Sequence, residues 1–304
     1  MTATAPPPVA EDVSATRWQR VRTPALVIGG LGIATLALRL RDPHEHGAWG
    51  ILLVPLLTGA WIGFATGRGI FPLILFLAAS LALFCLRAPL EIRLGTSPLR
   101  AQSPAERGVV AYSILIYVTL AAFAVGWLLW REHAYGLLLV GGVAAIFFVA
   151  QAALKKLGRR TRMAAQLVGA IGLTSTAAGA YYVVTGLLDR TALILWAANW
   201  LFAANQIHFV QTRIHGARSA TRSDKLNSGR WFLAGEIVTA LLLAAAWRLE
   251  YLPGLAALAF VPVLIRGLRW FWRGSEPLAI HRLGFTELAH ALSFGALFIL
   301  GFQL

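Results

Sequence analysis

Long apolar runs alternate with short basic segments along most of the chain. Nine of the runs are long enough to cross the roughly 30 Å hydrocarbon core of a bilayer, which takes about 20 helical residues. They cover residues 48–66, 70–88, 109–130, 134–153, 164–185, 191–211, 231–249, 252–270 and 283–303. The pattern therefore predicts an all-α polytopic membrane protein with about nine transmembrane helices.

The residues that precede the first run fall into two parts. Residues 1–16 contain three consecutive prolines and are predicted to form a disordered tail. Within residues 17–41, the apolar stretch 24–38 is flanked by arginines, which fits either an interfacial segment or an extra short span. The remainder, residues 42–304, is predicted to form a single helical membrane domain.

The connections between the runs are alternately short and long, and their charges differ. Lys and Arg number 18 in the four long connections and 4 in the four short ones. Because the cytoplasmic loops of membrane proteins carry an excess of Lys and Arg, the long connections are predicted to be cytoplasmic. The C-terminus then lies outside, and the expected location is a bacterial-type cytoplasmic (inner) membrane.

Composition agrees with this prediction and excludes other classes of protein. The chain is 58% hydrophobic and 13% charged, whereas soluble domains average about 25% charged residues. Its single cysteine, Cys85, excludes an intramolecular disulfide and a cysteine-based metal site. Because the net charge of +14 is accounted for by the loops, the expected partner is the lipid bilayer and not nucleic acid.

Polar residues inside the runs give the main functional signal, because a charge at mid-bilayer costs about 2.5–3.5 kcal/mol. The candidates near the predicted cytoplasmic ends are Asn205, His208, Glu236, Glu287 and His290. Glu287 and His290 are three residues apart, as are Asn205 and His208, so each pair shares a helix face. We expect these side chains to form a polar pocket that faces the cytoplasm. Interhelical hydrogen bonds that only fix the packing are the alternative interpretation.

Arginines and histidines at the ends of the runs add further candidates. Arg87, Arg107, Arg213 and Arg230 are the loop arginines nearest to the runs and could hold an anionic head group, although membrane orientation alone also accounts for them.

A histidine pair, His44 and His46, precedes the first run. In a loop, such a pair could bind haem or a metal, but the segment also fits an ordinary helix N-terminus. The sequence therefore predicts no metal site and identifies no catalytic residue.

The segment His44–Trp49 and the Leu-rich stretch around Pro55 resemble the opening of the YwiC-like membrane protein family. The segment 87–90 and the segment 284–289 are similar to two further parts of that family. Because the family is functionally uncharacterised, the resemblance implies an integral membrane protein but no chemistry.

The order of spans and long loops is similar to that of UbiA-type intramembrane prenyltransferases, which implies a UbiA-like bundle. Those enzymes bind a prenyl pyrophosphate through Mg²⁺ held by Asp-rich motifs after spans two and six. The corresponding segments here contain one acid each, Glu91 and Asp224. Since a Mg²⁺ site that bridges pyrophosphate needs several convergent carboxylates, Mg²⁺ is not an expected cofactor.

These observations predict a protein that binds an amphiphile, namely an isoprenoid, a quinone, haem or a lipid, in a cytoplasm-facing pocket. A divergent, Mg²⁺-independent transferase is one alternative. A transporter and an assembly factor for a membrane complex are the others.

Overall fold

The computed structural model describes residues 46–64, 69–97, 101, 103–216, 221–272 and 279–304. Nearly all of these residues are helical, and the described ranges contain no β-strand. The predicted segments 1–16 and 17–41 lie outside the described residues, as do His44 and the side chain of His46.

The described ranges form a succession of α-helices. They are α1 (His46–Phe64), α2 (Ile70–Arg93), α3 (Pro104–Arg131), α4 (Gly136–Lys156), α5 (Arg162–Thr174), α6 (Thr176–Thr185), α7 (Arg190–His215), α8 (Arg222–Arg248), α9 (Gly254–Leu258), α10 (Val261–Trp272) and α11 (Ile280–Gln303).

Eight helical segments are long and apolar enough to cross a membrane, when α5 with α6 and α9 with α10 each count as one. Helix α1 is also apolar, but its part with described side chains, Trp49–Phe64, is shorter. The predicted fold class, an all-α polytopic membrane protein, is confirmed.

Helix α3 begins earlier than the apolar pattern predicts. The Ser103 side chain accepts a hydrogen bond from the backbone N–H of Glu106, and the Glu106 carboxylate accepts one from the backbone N–H of Ser103. This capping box, followed by Pro104 at the first helical position, starts the helix five residues before the apolar run. The connection after α2 is correspondingly shorter than predicted.

Helix α8 also extends beyond its apolar run. Thr221 and Asp224 form a second capping box, so that the helix begins at Arg222. At about 1.5 Å per residue, Glu236 lies about 21 Å from the start of this helix. The depth of Glu236 in the membrane stays a prediction.

The span predicted at residues 164–185 is divided at Ser175 into α5 and α6. The hydroxyls of Thr174, Ser175 and Thr176 each donate to a backbone carbonyl three or four residues earlier, at 2.7–2.9 Å. Such local hydrogen bonds compete with the helical ladder and bend helices.

Glycines allow two pairs of helices to approach closely. A Cβ atom at Gly59 on α1 would overlap the carbonyl group of Ala177 on α6. A Cβ atom at Gly301 on α11 would overlap the backbone of Ala256 on α9. Small residues of this kind let membrane helices pack backbone against backbone.

An aromatic cluster fills the space between α7, α11 and the turn before α10. Phe202 and Phe294 stack with their ring centroids 4.0 Å apart, and Phe260 meets Phe294 edge-on at 5.0 Å. All three rings are buried. This packing holds α7, α10 and α11 together beside the polar residues described next.

Candidate functional site

A cavity of about 350 Å³ lies between α7, α10 and α11. Among the described residues, its charged lining consists of one glutamate and four arginines, namely Glu287, Arg213, Arg266, Arg269 and Arg282. The described part of the wall therefore carries an excess of three positive charges, which favours an anion. We call this space the polar cavity.

The polar cavity adjoins a buried salt bridge between Arg266 on α10 and Glu287 on α11. Their side chains are 10% and 7% exposed. The Arg266 guanidinium also lies over the ring of Phe209, 4.0 Å from its centroid. Cation–π contacts of this kind stabilise a buried guanidinium.

Hydrogen bonds extend the salt bridge to two further helices. Arg266 Nη2 donates to Asn205 Oδ1 at 3.0 Å, and Asn205 Nδ2 donates to Glu236 Oε1 at 2.8 Å. Gln206 Nε2 donates to the backbone carbonyl of Glu287 at 2.7 Å. The polar network of Asn205, Glu236, Arg266 and Glu287 thus connects α7, α8, α10 and α11.

The polar network has hydrogen-bonding capacity that no described residue uses. The atoms Glu236 Oε2, Arg266 Nε and Glu287 Oε1 are buried and lack a partner among the described residues. Unsatisfied buried polar atoms are uncommon in native proteins and call for an explanation such as a bound ligand, water or proton.

The structure brings together most of the polar residues singled out within the apolar runs. Asn205, Glu236 and Glu287 belong to the polar network, and His290 lines the polar cavity together with Glu287. The Nδ1–H of His290 donates to the backbone carbonyl of Thr286 at 2.6 Å, which turns Nε2 away from its own helix. Their role in binding a ligand stays a prediction.

The other candidates are distributed differently. Arg213 lines the polar cavity, whereas His208 packs edge-on against Phe232 at 5.4 Å. Arg230 is exposed beside the ring of Trp231, and Arg107 is exposed in the first turn of α3. Among the described residues, neither Arg107 nor Arg230 contributes to the polar cavity.

Sequence reasoning missed Arg266, the central cation of the polar network. It was counted as a loop charge, but it lies in the middle of α10. Its position inside the predicted span 252–270 was the available signal, because an arginine within an apolar run needs a buried counter-charge. Arg269 and Arg282 were likewise counted only as loop charges.

A second cavity, of about 430 Å³, lies between α2, α4 and α5 and is lined almost entirely by apolar side chains. Arg87, Gln151 and Ser80 are among its few polar residues. We call it the apolar cavity. Its described lining residues all fall between Leu52 and Thr176, so it shares no described residue with the polar cavity.

Comparison with known protein families gives a match for the N-terminal part of the chain. The family model of the YwiC-like protein matches residues 43–182. Residues 43–182 are therefore similar to this family, and we call them the YwiC-like region. The match covers slightly less than half of the 304 residues and confirms the resemblance of the segment His44–Trp49 to this family.

The YwiC-like region contains the whole described lining of the apolar cavity, whereas the polar cavity lies between Phe209 and His290, C-terminal to that region. No curated protein and no solved structure matches the chain. The UbiA-like arrangement accordingly stays a prediction.

Proposed function

We propose that this YwiC-like membrane protein binds an amphiphile whose anionic head group occupies the polar cavity. The observation that carries the proposal is the environment of Arg213, Arg269 and Arg282. They line one cavity, and none of them forms a salt bridge with a described carboxylate. Guanidinium groups present several donors in a planar fork that matches phosphate and carboxylate oxygens.

The apolar part of the same wall supports an amphiphile over a free anion. Pro262, Ile265 and Leu283 line the cavity beside the arginines. Ile265 is 49% exposed on α10, within a candidate membrane span. A ligand with a hydrocarbon tail can therefore lie along apolar surface while its head group contacts the arginines.

The polar network fixes the side chains on one side of this site. Glu287 neutralises Arg266 and holds the guanidinium on Phe209, so that the remaining arginines face the ligand. In its doubly protonated form, His290 can then donate to the head group through Nε2–H, which has no hydrogen-bond partner among the described residues.

A binding experiment with matched probes tests the proposal. Hexadecyl phosphate, palmitate and hexadecanol share one chain length and differ in the head group. We expect native mass spectrometry of the full chain in mild detergent to show the tightest binding for hexadecyl phosphate. Removal of one charge-assisted contact, by Arg269→Gln or Arg282→Gln, should weaken that binding by about tenfold or more, since such contacts contribute about 1.5–3 kcal/mol.

The matched control is Arg248→Gln. It removes the same charge from an exposed position at the C-terminal end of α8, outside the described lining of the polar cavity. It should bind hexadecyl phosphate like the unmodified protein. Equal affinity for the three probes, or equal losses in the control and in the cavity variants, would contradict the proposal.

The orientation of the protein in the membrane is a separate expectation. From the charge bias of the loops we expect position 219 to be cytoplasmic and position 303 to be outside. Single cysteines at these positions, in a Cys85→Ser background, can be labelled with a membrane-impermeant maleimide in intact cells. Labelling at 303 but not at 219 is the expected result, and the opposite pattern would overturn it.

A further inference from the structure

We infer that the apolar cavity holds one hydrocarbon chain of an anionic membrane lipid, with the lipid phosphate beside Arg87 and Lys155. This site belongs to the YwiC-like region and is separate from the polar cavity. The inference does not depend on the proposed function.

The dimensions of the apolar cavity fit a lipid chain. Its lining follows α2 from Phe76 to Leu90 and α4 from Leu137 to Gln151. At about 1.5 Å per residue, each stretch is about 21 Å long. One leaflet contributes about half of the 30 Å hydrocarbon core, so a space of this length receives a whole chain.

Glycines leave the middle of the cavity open. A Cβ atom at Gly141 or Gly142 would have no described atom within 4 Å. By contrast, a Cβ atom at Gly169 would overlap the amide group of Gln151. The protein therefore packs tightly at the polar end of the cavity and leaves space along α4.

A buried amide marks the polar end. Gln151 is 4% exposed and lines the cavity, yet its side chain makes no hydrogen bond with any described residue. Its amide can therefore form hydrogen bonds with a molecule that enters the cavity. A lipid head group or ester at this end would supply the missing partner.

The charges beside Gln151 favour an anionic head group. Arg87 Nε and Lys155 Nζ both donate to Glu91 Oε1, at 2.8 and 2.7 Å. Two cations share one carboxylate, which leaves one positive charge in excess. A phosphodiester carries one negative charge, and the remaining N–H groups of Arg87, unused by described residues, can reach it.

A substitution that fills the cavity tests this inference. Gly141→Leu places a side chain in the open space and replaces a helical glycine by a better helix former. Gly126→Leu on α3 is the matched control, because that glycine is also helical, exposed and free of atoms around its Cβ, but lies outside the lining. Thermal unfolding establishes that both variants are folded.

The probes are phosphatidylglycerol and phosphatidylcholine with identical acyl chains, titrated into the detergent-solubilised full chain and counted by native mass spectrometry. We expect the first phosphatidylglycerol to bind about tenfold more tightly than phosphatidylcholine. Gly141→Leu should weaken its binding by about tenfold, whereas Gly126→Leu should not. Arg87→Gln should abolish the preference for phosphatidylglycerol, which keeps the test decisive if Gly141→Leu does not fold.

Two results would overturn the inference. One is equal binding of the two lipids by the unmodified protein, as expected for lipid that surrounds any membrane protein. The other is loss of phosphatidylglycerol binding in Arg269→Gln, since that would place the lipid in the polar cavity.

Discussion

Arg266→Ala is expected to destabilise the protein by about 3–5 kcal/mol, the cost of leaving a buried charge without its partner. Arg266 is the only cation of the polar network among the described residues, and it contacts both Glu287 and Asn205. Its removal also exposes a space against Phe209. A lower thermal unfolding temperature in detergent, followed by circular dichroism, is the measurement.

A second substitution tests whether the loss of stability in Arg266→Ala arises from the unpaired charge of Glu287. Glu287→Gln keeps the size and shape of the side chain and removes the negative charge. In the Arg266→Ala background, it should restore part of the lost stability, because the buried side chain at position 287 no longer carries an unpaired negative charge. Non-additive effects of this kind are expected for residues in direct contact. Unchanged unfolding temperature in Arg266→Ala would contradict the structural role of the network.

Gly59→Ala is expected to destabilise the contact between α1 and α6, although alanine normally stabilises a helix relative to glycine by about 0.5–1 kcal/mol. The added methyl group would overlap the carbonyl group of Ala177, which is backbone and cannot rotate away. Forced separation of packed elements typically costs about 1–3 kcal/mol. The unfolding temperature should therefore fall.

Gly50→Ala, on the same helix, is the control for Gly59→Ala. A Cβ atom there would lie 3.7 Å from side-chain atoms of Leu288 and Ala291, an ordinary contact distance. We expect unchanged or higher stability for this variant. Equal behaviour of the two alanine variants would show that α1 and α6 do not pack as closely as described.

The sequence predicted the helical spans well because a membrane helix requires a long apolar run. Their ends were less predictable. The helix starts at Pro104 and Arg222 depend on capping boxes in polar segments, which hydropathy does not register. The division at Ser175 depends on three successive hydroxyl side chains, whose effect is local and unrelated to apolar length.

The candidate site was predictable only in part. Glu236, Glu287 and Asn205 stood out as polar residues in apolar runs, and they do meet in one network. Arg266 did not stand out, because an arginine near the end of a run is read as a loop charge. Gln151, another polar residue inside an apolar run, lines the other cavity, since helix order along the chain does not specify which helices are neighbours.

The two cavities are formed by different parts of the chain, and this has a consequence for recombination between related chains. The turn at Gly186, with φ of 79°, follows the last helix of the YwiC-like region and precedes every described residue of the polar cavity. Recombination at this turn would exchange one cavity as a unit and leave the other intact. Any such chimera must preserve the packing of α11 on α1, where a Cβ atom at Gly295 would lie 3.0 Å from the side chain of Val54. It must also preserve the packing of α7 on α1 and α5, where Asn199 Nδ2 donates to Thr58 Oγ1 at 3.0 Å and Trp196 Nε1 donates to the carbonyl of Ile171 at 2.9 Å.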